Sequence, residues 1–282
     1  MPDLGPMLLD VLQQRFPESS KTTLRKMLQS DRVRVNGAPE RDAKREIGPD
    51  DQVDVTSKPA RPLDPRVRIV FEDSDLIVID KAAGLLTVAT AEVLYETAEA
   101  FLNKYAGGTP DAPRVHHVHR LDRDTSGVLV FAKNTYARDH LQERFAAHDI
   151  DRVYVAIVYG KLRESSGTFR SFLAEDSMLR VRSVTDPSQG KEAVTHYRTT
   201  ASGRRYSILE LRLETGRRNQ IRVHLSEAGH PVLGDTMYGR GSDPEFPRLA
   251  LHARELGFVH PRDGRKVSFT ADVPRMFREW QL

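Results

Sequence analysis

The densest run of reactive side chains in the sequence is His116-His117-Val118-His119-Arg120-Leu121-Asp122-Arg123-Asp124-Thr125-Ser126-Gly127. It leads directly into the apolar stretch Val128-Leu129-Val130-Phe131-Ala132. A polar loop held by a buried strand is a common place for a site, because the strand fixes the loop's geometry. Three chemistries fit these residue types. Neutral imidazoles and carboxylates can hold zinc. However, no His-Glu-x-x-His spacing is present, and Arg120 and Arg123 would repel a cation, so no metal is expected. A structural reading has Thr125 and Ser126 capping a turn while the aspartates pair with the arginines. The third reading is catalytic. Asp122 lies two residues from Arg120 and next to Arg123, and nearby positive charge favours an ionised carboxylate. Such an anion suits a nucleophile or an electrostatic partner better than a general acid.

Composition removes other chemistries. The 282 residues include 43 Lys and Arg against 40 Asp and Glu, a net charge of +3, which permits nucleic acid as a partner without demanding it. The absence of cysteine excludes disulfides, cysteine-ligated metals and thiol nucleophiles. No run approaches the ~18 apolar residues of a membrane span. The N-terminus, Met1-Pro2-Asp3-Leu4-Gly5-Pro6, lacks the basic and apolar regions of a signal peptide. The expectation is a cytoplasmic protein with no membrane association and no evident obligate protein partner.

The elements that must position the loop fall into two parts, consistent with roughly 150 residues per domain. Lys58-Pro59-Ala60-Arg61-Pro62-Leu63-Asp64-Pro65 reads as an extended proline-rich linker. It separates residues 1–57 from residues 66–282. In the first part, Met7, Leu8, Val11, Leu12 and Phe16 form a helical stripe ended by Pro17. Ser19 and Ser20 are candidate caps for a second helix carrying Leu24, Met27 and Leu28. Asp31 would close that helix. Arg32-Val33-Arg34-Val35 alternates as a strand, Asn36-Gly37 supplies a hairpin turn, and Gln52-Val53-Asp54-Val55 is a last strand.

The larger part is rich in strands. Leu76-Ile77-Val78-Ile79 and Val128 to Ala132 are continuous apolar runs expected to be buried on both faces. Tyr206 to Glu214 alternates, with Leu209, Leu211 and Leu213 on one face. Helices are expected near Tyr95–Tyr105, Tyr136–Ala147 and Arg218–Glu227. The pattern is α+β, with a mixed, mostly antiparallel sheet.

Lys21 to Arg45 carries eight basic and three acidic residues, a local excess larger than that of the whole chain. Together with the helix–helix–strand–Asn-Gly order, the Ser-Lys-Thr start and the Val33-Arg34-Val35-Asn36-Gly37 run, this part resembles the S4 RNA-binding domain. The resemblance implies that Lys21, Arg25, Lys26, Arg32 and Arg34 form a ridge against RNA phosphates.

His119-Arg120-Leu121-Asp122-Arg123-Asp124-Thr125-Ser126-Gly127 and the following Val128 to Lys133 resemble the signature of RluA-type pseudouridine synthases. Other family-like segments follow in order: Asp75 to Lys81 with Gly84-Leu85, Arg152-Val153-Tyr154-Val155-Ala156, and Leu213 to His224. Gly234-Asp235-Thr236-Met237-Tyr238-Gly239 and Arg248 to Ala253 complete the set. Asn219 stands where the family generally has histidine.

The resemblance implies that uridine in RNA is isomerised by detaching uracil from C1′, rotating it and rejoining it through C5, with no cofactor. It implies Asp122 as the essential carboxylate, by a nucleophilic or a glycal route. Arg120 would fill the space left by the flipped base, and Tyr154 would stack on that base. Arg222 would pair with Asp122, and Leu251 would line the apolar side. An S4 module points to ribosomal RNA ahead of transfer RNA. The rival readings are a non-catalytic S4-containing RNA-binding protein or RNA chaperone, and a metal hydrolase built on the histidines.

Overall fold

The computed structural model describes residues 5–29, 32–55, 63–107, 114–239 and 246–278. The chain divides into two compact units, Met1–Arg61 and Pro62–Leu282. Most of the proline-rich segment and the expected helix end at Asp31 lie outside the described residues.

The small unit packs two helices on a three-stranded sheet. Helix α1 spans Leu8–Arg15 and buries Leu8, Leu9 and Leu12. Helix α2 spans Lys21–Gln29 and buries Leu24 and Leu28. The Ser20 hydroxyl caps α2 by accepting from the Thr23 amide at 3.2 Å. Strands β1 (Val33–Val35), β2 (Ala38–Pro39) and β3 (Val53–Val55) pair antiparallel in the order β2-β1-β3. Asn36 and Gly37 both take positive φ, as a two-residue hairpin turn requires.

The large unit is built on one mixed sheet of eleven strands. They are β4 (Val67–Glu72), β5 (Leu76–Lys81), β6 (His116–His117), β7 (Ser126–Ala132), β8 (Asp151–Tyr159), β9 (Ser166–Glu175), β10 (Val181–Val184), β11 (Lys191–Ser202), β12 (Tyr206–Leu213), β13 (Leu251–Val259) and β14 (Lys266–Thr270). The main path runs β10-β9-β11-β12-β8-β13-β7-β5-β4, with β14 on β13 and β6 on β7. Among the described strands every pairing is antiparallel except β7 with β13.

Helix α3 (Ala98–Ala106) covers one face of β5 and β7, and α4 (Thr135–Ala146) covers the other. Ile77, Ile79, Leu129 and Phe131 pack with Leu102. Leu76, Val78, Val128 and Val130 pack with Leu141. This two-sided cover is the physical reason for the continuous apolar runs. Helix α5 spans Gln220–Glu227 and starts two residues later than expected, because Asn219 is in the left-handed region. Helix α3 starts at Ala98 because the Thr97 hydroxyl caps it, accepting from the Ala100 amide at 3.1 Å. A short helix, α6 (Arg275–Arg278), closes the described chain.

The parallel contact between β7 and β13 covers two residue pairs, His252 with Ser126 and Ala253 with Gly127. Gly127 has φ +118°, and a Cβ there would lie 2.1 Å from the Ala253 carbonyl oxygen. No side chain fits. Gly127→Ala is therefore expected to lower the urea midpoint by clearly more than Gly229→Ala. At Gly229 φ is also positive but nothing lies within 4 Å, so about 1 kcal/mol is expected there. Equal losses in the two variants would refute the steric account.

Candidate active site

The loop from Val118 to Thr125 is held from behind before any of its side chains acts. The Thr87 hydroxyl donates to the Leu121 carbonyl at 2.9 Å and accepts from the Leu121 amide at 3.1 Å. Lys81, at the end of β5, is fully buried. Its ammonium donates to the carbonyls of Leu85 (2.8 Å), Ala82 (2.9 Å) and Arg123 (3.1 Å), so all three protons have partners. Burial pushes this lysine down to about 7, while Asp124 and Asp122 pull it back up. The three carbonyls fit the charged form.

At the start of β7, Arg248 donates to the Ser126 hydroxyl at 2.8 Å, and the His252 ring contacts the same hydroxyl at 2.8 Å. The other His252 nitrogen faces the Ala271 carbonyl at 3.2 Å, which makes Nδ1 the acceptor from Ser126.

The histidines of the loop take separate tasks. His119 stacks on Phe145 at 4.5 Å, and its Nε2 accepts from the Val130 amide at 3.2 Å. Burial, with Arg152 nearby, pushes its imidazole down to about 3, so the ring is neutral. His117 pairs with Glu99 at 2.8 Å. Among the described residues no group of three or more His, Asp or Glu side chains converges as a metal site.

Arg120, Asp122, Tyr154, Arg222 and Leu251 all line one cleft of about 480 Å³. A nucleoside fits a volume of that order. Asp122 and Arg120 come from the loop, Tyr154 from β8, Arg222 from α5 and Leu251 from the first position of β13. The Asp122 carboxylate keeps 23% of its side-chain surface exposed and faces Arg222 Nη1 at 3.5 Å. Arg120 is exposed and forms no ion pair among the described residues. Arg123 takes Asp124 instead, at 3.3 Å. Tyr154 is 9% exposed and Leu251 3%. Burial pushes the Tyr154 phenol up to about 12; Arg152 opposes this and Asp122 adds to it, so the phenol stays protonated.

The two-point grip of Arg222 falls on Asp235, a residue that sequence reasoning did not single out. Arg222 Nε and Nη2 donate to the two Asp235 oxygens at 2.7 and 2.8 Å, and Nη1 donates to the Asn219 side-chain oxygen at 3.1 Å. The guanidinium also lies 5.0 Å from the centre of the Tyr238 ring. Asp235 Oδ1 accepts from the Met237 and Tyr238 amides at 3.0 and 2.9 Å. Asn219 in turn donates to the Tyr238 hydroxyl at 3.1 Å. Asn219 thus supports the arginine at a position where the family generally carries histidine. Nothing local in the sequence marks Asp235 as the partner of Arg222, thirteen residues away.

A sequence model of the family described as RNA pseudouridylate synthase matches residues 75–227. The chain belongs to this family. It is an isomerase acting on uridine in RNA. Ribosomal large subunit pseudouridine synthase D of Zymomonas mobilis is 41% identical over 227 residues, covering 76% of this chain and 71% of that protein. The synthase of the same name from Escherichia coli K12 is 34% identical over 290 residues, covering 96% and 88%. Among solved structures, human RNA pseudouridylate synthase domain containing 4 superposes with a TM-score of 0.62. It is 25% identical and covers 75% of this chain and 90% of that one. No helix among the described residues is long and apolar enough to cross a membrane.

Burial raises the Asp235 carboxyl, but the bonds and charge of Arg222 outweigh this and hold it below its ordinary value. An acid with a depressed folded pKa contributes stability above its unfolded value, near ~3.9, and loses it as pH falls further. Asp235→Asn leaves a buried arginine short of its partner, so a loss of about 3 kcal/mol is expected at pH 7. The difference from wild type should shrink below pH ~4. Urea melts of both proteins from pH 3 to 7 would check this, and a pH-independent difference would contradict it.

Proposed function

We propose that this chain converts specific uridines of ribosomal RNA to pseudouridine with Asp122 as the essential carboxylate. The reading rests on one arrangement: a carboxylate on a rigid loop, at the wall of a nucleoside-sized cleft, facing an arginine at 3.5 Å that is itself fixed by Asp235. The C1′–N1 bond of the target uridine breaks, the uracil turns within the cleft, C5 bonds to C1′, and the C5 proton leaves. Asp122 acts on the sugar, either by adding to C1′ or by taking the C2′ proton. Arg222 stabilises its anion. Tyr154 offers a ring face to the uracil, and stacking of this kind is worth ~1–3 kcal/mol per base. Leu251 closes the apolar side. Arg120, exposed and without an ion pair among the described residues, occupies the gap left in the RNA when the base turns out.

The ribosomal substrate is supported by the names of the relatives and by the small unit, which we read as an S4-like RNA-binding domain joined through residues 58–65 to a catalytic domain at 66–282. Lys21, Arg25 and Lys26 lie on the exposed side of α2, Arg34 is exposed on β1, and Arg32 immediately precedes β1. A cytoplasmic reaction is part of the same proposal.

Asp122→Asn should fold normally, bind RNA and form no pseudouridine, read as tritium release from RNA labelled at uridine C5. Turnover near wild type would move the assignment to Asp124. Arg222→Lys should be partly active, and Arg222→Ala should lose most turnover with a smaller loss of binding.

Deleting residues 1–57 should weaken binding and flatten its salt dependence. Unchanged affinity would remove the docking role. Mapping pseudouridine in total RNA with and without the gene would separate ribosomal from transfer RNA.

A further inference from the structure

Arg152 is a buried cation in the cleft wall with no acid to balance it among the described residues. It sits on β8 two residues from Tyr154, so the two side chains share a face of the strand. Only 8% of the residue is exposed. Its Nη2 donates to the carbonyls of Glu214 at 2.7 Å and Leu213 at 3.4 Å, and its guanidinium lies 5.8 Å from the centre of the Phe145 ring. These partners are neutral. Its Nε is buried without a hydrogen-bond partner, and no carboxylate pairs with it among the described residues. Buried arginines are normally paired, because an unbalanced buried charge is costly.

Two neighbours make the imbalance larger. Arg217 lines the same cleft and adds a second positive charge. Its Nε donates to the Glu192 carbonyl at 2.8 Å, again a neutral partner. Between them, Gly216 provides the room: a Cβ at this position would lie 2.4 Å from Arg152 Nη1. The neighbouring His119 is neutral, as described above, and offers no compensating anion. The cleft lining therefore carries two guanidinium groups with no paired carboxylate among the described residues, while Asp122 and Asp235 both face Arg222.

We propose that Arg152 and Arg217 form a phosphate site that receives the phosphodiester next to the uridine held in the cleft. This rests on the reading of the cleft as the synthase site. Strand spacing sets the distance: residues two apart on one face are separated by ~6.6 Å, comparable to the span from a base to its neighbouring phosphate. A base against Tyr154 thus leaves a phosphate within reach of Arg152. The phosphate supplies the negative charge and the acceptor atoms that the site lacks. It also fixes which way round the nucleotide enters, with its sugar toward Asp122.

The test uses the full chain and total RNA labelled at uridine C5, purified from cells without the gene, so that the substrate is present whatever its class. Single-turnover tritium release is measured against enzyme concentration at several KCl concentrations. Arg152→Gln and Arg217→Gln should each raise the half-saturating concentration roughly tenfold, the order of one lost charge-assisted hydrogen bond. Each should also reduce the salt slope by about one. Arg152→Lys should keep the slope.

Because both arginines hold one phosphate, the double variant should lose less than the product of the single losses. A lower rate at saturating enzyme with unchanged slope would assign Arg152 to a base carbonyl and overturn the proposal. So would strictly multiplicative losses. Arg217→Gln, at a half-buried position, keeps the test decisive if Arg152→Gln is unstable. Asp122→Asn runs alongside. If it is active, the reading of the cleft fails; if it is inactive while the arginine variants bind and titrate like wild type, only the phosphate site fails.

Discussion

The close approach of β7 to β13 is the constraint on which the catalytic unit depends. On one side of this junction lie β4, β5 and β7, clamped between α3 and α4. On the other lie β8, β9, β11 and β12 with α5. The backbone joins the two sides through two residue pairs, and the crossing is possible because position 127 carries no side chain. Ser126, His252 and Arg248 tie the crossing together with side-chain hydrogen bonds. The loop bearing Asp122 ends where β7 begins, while Leu251 opens β13. The cleft is therefore assembled by the junction: Arg120 and Asp122 come from one side, and Tyr154, Arg222 and Leu251 from the other. A shift of a few tenths of an ångström in the crossing would alter the distance between Asp122 and Arg222.

The loop is also held by groups that never face the cleft. Lys81 and Thr87 bind its backbone, and the backbone determines where the Asp122 carboxylate can point. A buried lysine is costly to keep charged, and here three carbonyls from two segments surround it. The turn after β5 and the site loop thus share one cation, and neither can move without leaving that ammonium short of an acceptor. Rigid support behind a reactive group serves catalysis because the geometry is set before the substrate arrives.

Much of this was legible in the sequence, for identifiable reasons. The two-sided burial of β5 and β7 is written in their uninterrupted apolar runs. The hairpin at Asn36-Gly37 is written in its turn residues. The convergence of Arg120, Asp122, Tyr154, Arg222 and Leu251 followed from matching whole segments, since nothing in their spacing brings positions 122 and 222 together. What stayed hidden depends on tertiary pairing. Asp235 stands in a family-like segment, but its role stays hidden until the fold sets it against Arg222. Arg152 stands beside Tyr154 in a family-like segment, but its imbalance shows only once burial removes water and no acid among the described residues takes its place. The early start expected for α5 failed at Asn219, whose left-handed backbone is set by local geometry that helical periodicity does not report.

Arg222 is shared unequally between two carboxylates. Asp235 holds it with two short bonds, and Asp122 touches it from 3.5 Å. The guanidinium is thus anchored on the side away from the reaction. On the proposed reading, in which Asp122 gives up its charge to a proton or a sugar carbon, the arginine has no reason to relax, because Asp235, its main partner, is unchanged. On that reading, reorganisation at this corner is small, and the positive field facing Asp122 is set in advance. In a structure with RNA bound, Arg222 should coincide with its position here, while Arg120, which has no such anchor among the described residues, should be found displaced.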